Sequence, residues 1–119
     1  MPIRSFRDLE IYQEALDQIE EIYTLVGGLP AREDKGLSDQ MRRAAVSVAA
    51  NIAEGYSKKR SVKEFQAYLQ TAIGSCNEVG ALLDVCERVG LLGREDWRRM
   101  TEACTRLAKR ISALSRRWE

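Results

Sequence analysis

The chain has 119 residues, 45% of them hydrophobic and 31% charged, with a net charge of +1. That length suits one domain over residues 1–119, with enough apolar material to close a core without metal or disulfide, and the balance excludes disorder. It also excludes the strong basic excess of a dedicated nucleic-acid binder, so any RNA or DNA contact must come from a local patch. No apolar run approaches the about 18 residues of a membrane span. The N-terminus has no apolar stretch of signal-peptide length. These features predict a cytoplasmic protein with no membrane partner.

The first helix is predicted from about Phe6 to Val26, with Ser5 and Asp8 as a variant capping box. Its apolar stripe reads Leu9, Tyr12, Leu16, Ile19, Tyr23 and Val26, in steps of three and four. Gly27-Gly28 and Pro30 end it, and a loop follows. Ser38 is the expected N-cap of a second helix that reaches about Tyr56 and turns Met41, Ala44 or Ala45, Val48 and Ile52 inward. A basic turn, Gly55 to Arg60, leads to a third helix capped by Ser61 and Glu64. Its seam runs from Phe65 through Leu69, Ala72, Cys76, Val79 and Leu83 to Cys86, and Gly90 ends it. Gly74 and Gly80 inside that helix suggest close packing on the alanine-rich second helix. The fourth helix, about Arg94 to Trp118, carries Trp97, Met100, Cys104, Leu107, Ile111, Leu114 and Trp118 on one face. Four amphipathic helices on short loops predict an all-α, antiparallel up-down-up-down four-helix bundle.

Catalytic equipment is sparse. There is no histidine, so the commonest general base and metal ligand are both missing. Cys76, Cys86 and Cys104 form neither a disulfide framework nor a zinc motif, and they fall on apolar seams as small hydrophobes. A di-metal bundle site needs Glu-x-x-His motifs. No catalytic residue, metal site or cofactor is predicted, and the chain reads as a non-enzyme.

Three features remain as binding candidates. Arg43, Ser47, Asn51 and Glu54 share one face of the second helix and can meet Glu64, Gln66, Ser75 or Glu78 across a hairpin. They read as a partner site or as a polar network that fixes helix register. On the fourth helix, Arg99, Arg106, Arg110 and Arg117 form one stripe, opposite in sign to the acidic first helix. That stripe reads as a phosphate-binding surface or as the ion-pair partner of the first helix. The turn at Lys58, Lys59 and Arg60, followed by Lys63, can hold phosphate at a helix N-terminus or stand solvated.

The wording of the chain adds a resemblance. Phe6-x-Asp8-Leu9 followed by Ala15 opens it. Leu37-x-Asp39-Gln40-x-Arg42-Arg43-Ala44 continues through Ser47 to Asn51-Ile52-Ala53-Glu54-Gly55, and Glu64-Phe65 and Ala72-x-Gly74-Ser75-x-x-Glu78 complete it. This resembles the family of 23S ribosomal RNA intervening-sequence proteins, over nearly the whole chain. The resemblance implies a closed antiparallel bundle assembling into homo-oligomeric rings, pentamers among them. It further implies an association with structured RNA or, through a related branch, a protein partnership with a reverse transcriptase in diversity-generating retroelements. The family pattern coincides with Arg43, Ser47, Asn51, Glu54, Ser75 and Glu78.

Overall fold

The four periodic blocks become four helices in the computed structural model, which describes residues 2–118 and leaves Met1 and Glu119 outside. They are α1 (Glu10–Gly27), α2 (Leu37–Ser57), α3 (Val62–Arg88) and α4 (Arg94–Arg117), with 3-10 turns at Phe6–Asp8 and Ala31–Glu33. Consecutive helices pack antiparallel and α1 closes on α4. The body measures 44 × 25 × 24 Å, close to the about 40 Å length of a 27-residue helix such as α3. No strand occurs among the described residues, and no helix there is long and apolar enough to cross a membrane.

Three of the predicted seams are core. Met41, Ala44, Ala45, Val48 and Ile52 of α2 are buried, and so is every predicted position of α3 from Phe65 to Cys86. On α4, Met100, Cys104, Leu107 and Ile111 are buried, while Trp97, Leu114 and Trp118 pack at its edge. All three thiols are free and buried. Cys104 donates to the Cys76 carbonyl at 3.0 Å. The Cys76 thiol is pushed far up from its ordinary range, first by its hydrogen bond with Cys104 and then by burial. Burial likewise pushes Cys86 up. Cys76 and Cys86, kept neutral in this way, are packing groups rather than nucleophiles, while the hydrogen bond shared with Cys76 moves the buried Cys104 thiol down.

The first helix departs from expectation. Residues 6–8 form a 3-10 turn, and α1 begins only at Glu10. Ser5 and Asp8 do form a reciprocal capping box, but it closes that turn instead of α1. The buried stripe is Ile11, Ala15, Ile22 and Val26, whereas Leu16 and Tyr23 are 38% and 48% exposed. Two apolar stripes run side by side on α1, and the core takes the one containing the small Ala15.

Several ends differ too. Gly36, not Ser38, occupies the N-cap position of α2, and Ser38 is fully buried with its hydroxyl unpaired among the described residues. Ser61 does cap α3 by accepting from the Glu64 N–H at 3.2 Å. Its own N–H is taken by the Lys58 carbonyl at 3.0 Å, so the reciprocal half of the box is not needed. Gly90, at φ +83°, ends α3 as a Schellman turn. In it the Leu91 N–H reaches the Cys86 carbonyl at 2.8 Å and the Gly90 N–H reaches that of Glu87 at 3.2 Å.

The interior glycines of α3 are not close-packing points against α2. A Cβ on Gly74 would meet nothing within 4 Å, and one on Gly80 would touch only Cys104 of α4 at 3.9 Å. Gly74 is exposed. Gly74→Ala is therefore expected to stabilise the fold by about 0.5–1 kcal/mol through helix propensity alone. A higher urea midpoint checks this, and an unchanged or lower midpoint would contradict it.

Candidate nucleic-acid interface

The predicted α2–α3 network is half assembled. Ser47 and Ser75 share a hydroxyl–hydroxyl bond of 2.8 Å across the two helices. Asn51 donates its side-chain N–H to the Ser47 hydroxyl and carbonyl at 3.0 and 2.9 Å. This trio is part-buried, so the bonds satisfy groups that water reaches only partly. The charged members stay outside it. Arg43 turns along its own helix to Asp39 at 2.9 Å, and Glu54 accepts from Ser57 at 3.0 Å. Glu78 is exposed and has no ion pair among the described residues. Gln66, expected to face α2, instead donates to the Ser115 carbonyl of α4 at 2.7 Å. The arrangement fits a register lock between α2 and α3, with ordinary solvated charges around it.

The α4 stripe faces α1 and is partly neutralised. Arg99 reaches both oxygens of Glu21 at 2.8 and 2.7 Å, and that hydrogen-bonded carboxylate holds its guanidinium above the ordinary range. Arg110 binds both Glu10 and Glu14. Between these two clamps lies an open α1–α4 cleft of about 500 Å³, with Arg106 on its rim and Val79, Leu83 and Leu107 in its floor. Gln18 lines the same cleft, and its buried Oε1 has no hydrogen-bond partner among the described residues. The fourth member of the stripe, Arg117, forms no ion pair among the described residues.

Arg117 belongs with a different group. The antiparallel topology brings the C-terminal end of α4 against the α2–α3 turn. Trp118 stands edge-on to Phe65 at 4.7 Å between ring centres and to Tyr56 at 6.4 Å. Lys58, Lys59, Arg60 and Lys63 of the turn therefore share one end of the bundle with Arg116 and Arg117. Lys59 lies 4.3 Å above the Tyr56 ring. The N-terminal segment carries Arg4 and Arg7 to this end, because Ile3 and residues 8–11, which flank them in sequence, line one groove of about 700 Å³ with the last turns of α4. All eight side chains are exposed. None of them forms an ion pair among the described residues.

Four exposed acidic side chains, Asp8, Glu10, Glu54 and Glu64, share this end with the eight cations, and of these Glu10 is ion-paired. Asp8 accepts the Arg4 and Ser5 backbone N–H groups at 2.8 and 3.1 Å. Glu10 is held by Arg110, Glu54 accepts from the Ser57 hydroxyl, and Glu54 and Glu64 both stand exposed without an ion pair among the described residues. The opposite end mixes both signs and pairs Arg32 with Glu33 at 3.6 Å and Arg94 with Glu87 at 3.7 Å.

Comparison with known proteins decides the family. The family model described as 23S rRNA-intervening sequence protein matches residues 7–113. The chain belongs to that family. Among solved structures, it is similar to a protein of unknown function from the S23 ribosomal protein family of Bacteroides thetaiotaomicron. The two share 22% identity with a TM-score of 0.80, over 89% of this chain and 95% of that one. At that identity the likeness speaks for the four-helix fold. No curated protein matches the chain. The 23S rRNA-intervening sequence match takes in the α2–α3 turn and the Ser47–Asn51–Ser75 trio, while Arg4, Arg116 and Arg117 lie beyond its bounds.

Proposed function

We propose that this member of the family is a non-enzymatic, homo-oligomeric cytoplasmic protein that binds structured RNA or a ribonucleoprotein. The observation that carries the reading is the gathering of unpaired cations at one end of a bundle whose net charge is only +1. A local field of that kind attracts phosphate even when bulk charge is near zero. The family's name supports RNA as the company it keeps. The non-enzymatic part rests on the missing histidine, on thiols buried in the core, and on the absence of any three-residue metal-ligating group among the described residues.

Oligomerisation is supported by apolar surface left uncovered. Leu16 and Tyr23, two turns apart on α1, are 38% and 48% exposed, and Val46 on α2 is 42% exposed. Such side chains favour contact with further protein. We take a pentamer as the expected assembly, on the family resemblance. A ring would multiply the modest basic end fivefold into one strong field. The alternative occupant of these exposed apolar positions is a different protein, such as a reverse transcriptase. Of the other aromatic residues suited to such a contact, Tyr56 is only 7% exposed and Trp97 donates its indole N–H to Asp84 at 2.8 Å.

Light-scattering mass, combined with binding to a structured RNA at low and moderate salt, tests this reading. A pentamer that binds RNA and releases it as salt rises is the expected result. A monomer, or a protein that ignores RNA at low salt, would contradict it and leave a protein partner as the remaining reading.

A further inference from the structure

We infer that the basic end grips the phosphate backbone of double-helical RNA, without reading base sequence. This rests on the RNA-binding reading above and names the form of RNA and the surface that holds it. Helix dipoles account for only part of the charge found there. Cations in the last turn of α4, Arg116 and Arg117, suit a helix C-terminus. Lys63 sits in the first turn of α3, where the dipole favours acids. Arg4 and Arg7 lie outside any α-helix. The surplus is therefore not explained by helix stability.

The chemistry of the same end selects the partner. Single-stranded RNA is held by aromatic faces on which bases stack. No aromatic ring at this end stands fully exposed among the described residues, and Phe6, Tyr12, Tyr68 and Trp118 are half-buried. Phe65 is fully buried and Tyr56 is 7% exposed. Trp118 packs edge-on against Phe65, and Phe6 packs edge-on against Tyr12 with Arg7 over its face. A protein partner would need an apolar anchor at the centre of the contact. The only large apolar side chain exposed at this end, among the described residues, is Ile3. What remains is an array of long, exposed cations across an end face of roughly 25 × 24 Å, suited to the regularly spaced phosphates of a duplex.

The test compares two triple variants of equal charge change. One is Lys58→Glu/Lys59→Glu/Arg60→Glu at the basic end. The other is Arg32→Glu/Lys35→Glu/Arg88→Glu at the opposite end. Both are checked for helical content and thermal unfolding, and Lys58→Gln/Lys59→Gln/Arg60→Gln serves as a milder version. Binding is measured to a blunt RNA duplex, to an unstructured single strand of the same length, and to phosphatidylglycerol vesicles. The expected result is duplex preferred over single strand, with two unrelated duplex sequences bound alike. The basic-end variant should bind at least about tenfold more weakly, with a log K against log [salt] slope flatter by about 3. The opposite-end variant should stay near wild type. Equal loss in both variants, preference for the single strand, or binding to vesicles but not duplex would overturn this inference. Failure of the wild type to bind any RNA at low salt would instead overturn the functional reading on which it rests.

Discussion

Phe65→Ala is expected to lower the unfolding free energy by about 3–5 kcal/mol, a large part of the ~5–15 kcal/mol that holds a domain of this size together. Phe65 lies in the first turns of α3 with no exposed surface. Its ring stands perpendicular to Trp118, 4.7 Å between centres, and at 83° to Tyr56, 6.3 Å away. It thus ties the start of α3 to the end of α2 and the end of α4. Truncation removes both edge contacts and leaves a void that three helices cannot all collapse into. Phe65→Leu should cost less, because it keeps part of the volume. Urea unfolding at fixed protein concentration measures both, since assembly makes apparent stability concentration-dependent. A loss below about 1 kcal/mol for Phe65→Ala would mean that this cluster is not core. The same cluster fixes the positions of the basic turn and of Arg116 and Arg117, so it links the packing to the proposed interface.

Gly55→Ala is expected to destabilise by up to about 2 kcal/mol, although alanine is the better helix former. Propensity alone would favour alanine by about 1 kcal/mol. A Cβ at this position would lie 2.7 Å from Tyr68 Cβ and 3.0 Å from Phe65 Cδ1. The Tyr68 Cβ is fixed to the α3 backbone, so relief requires α2 and α3 to move apart, and overpacking of this kind costs about 1–3 kcal/mol. Sterics therefore outweigh propensity at Gly55, while at Gly74 nothing opposes propensity. Opposite shifts of the urea midpoint in Gly55→Ala and Gly74→Ala would confirm the contrast. Shifts of the same sign would contradict the α2–α3 approach distance seen here.

The contrast also shows what the linear chain discloses. An unbroken seam in steps of three and four, such as Phe65 to Cys86, is legible as one helical face. α1 was not, because Tyr12, Leu16, Ile19 and Tyr23 form a second stripe beside Ile11, Ala15 and Ile22. Hydrophobicity favours the larger residues, whereas burial follows the close approach that Ala15 allows. Gly74 and Gly55 look alike as letters, and only the neighbouring helix tells the tight one from the open one. Ser38 has the chemistry of a cap, but α2 already begins at Leu37 and buries Ser38 in its first turn.

The candidate interface divides along the same line. The Ser47–Asn51–Ser75 trio was readable because helical spacing and a hairpin bring it together. The fate of Arg99 and Arg110 was readable only as charge complementarity with α1, and the pairs with Glu21, Glu10 and Glu14 now show where that charge goes. The convergence of Arg4, Arg7, Lys58, Lys59, Arg60, Lys63, Arg116 and Arg117 lay beyond local reasoning. These residues are far apart in sequence, and only the antiparallel closure of the bundle sets them at one end.

The most direct test of the central claim is the salt dependence of binding to a structured RNA by the wild-type protein. Engagement of the basic end predicts that log K falls linearly with log [salt], with a slope steeper than about −3. A salt-insensitive affinity, or no binding at low salt, would contradict it.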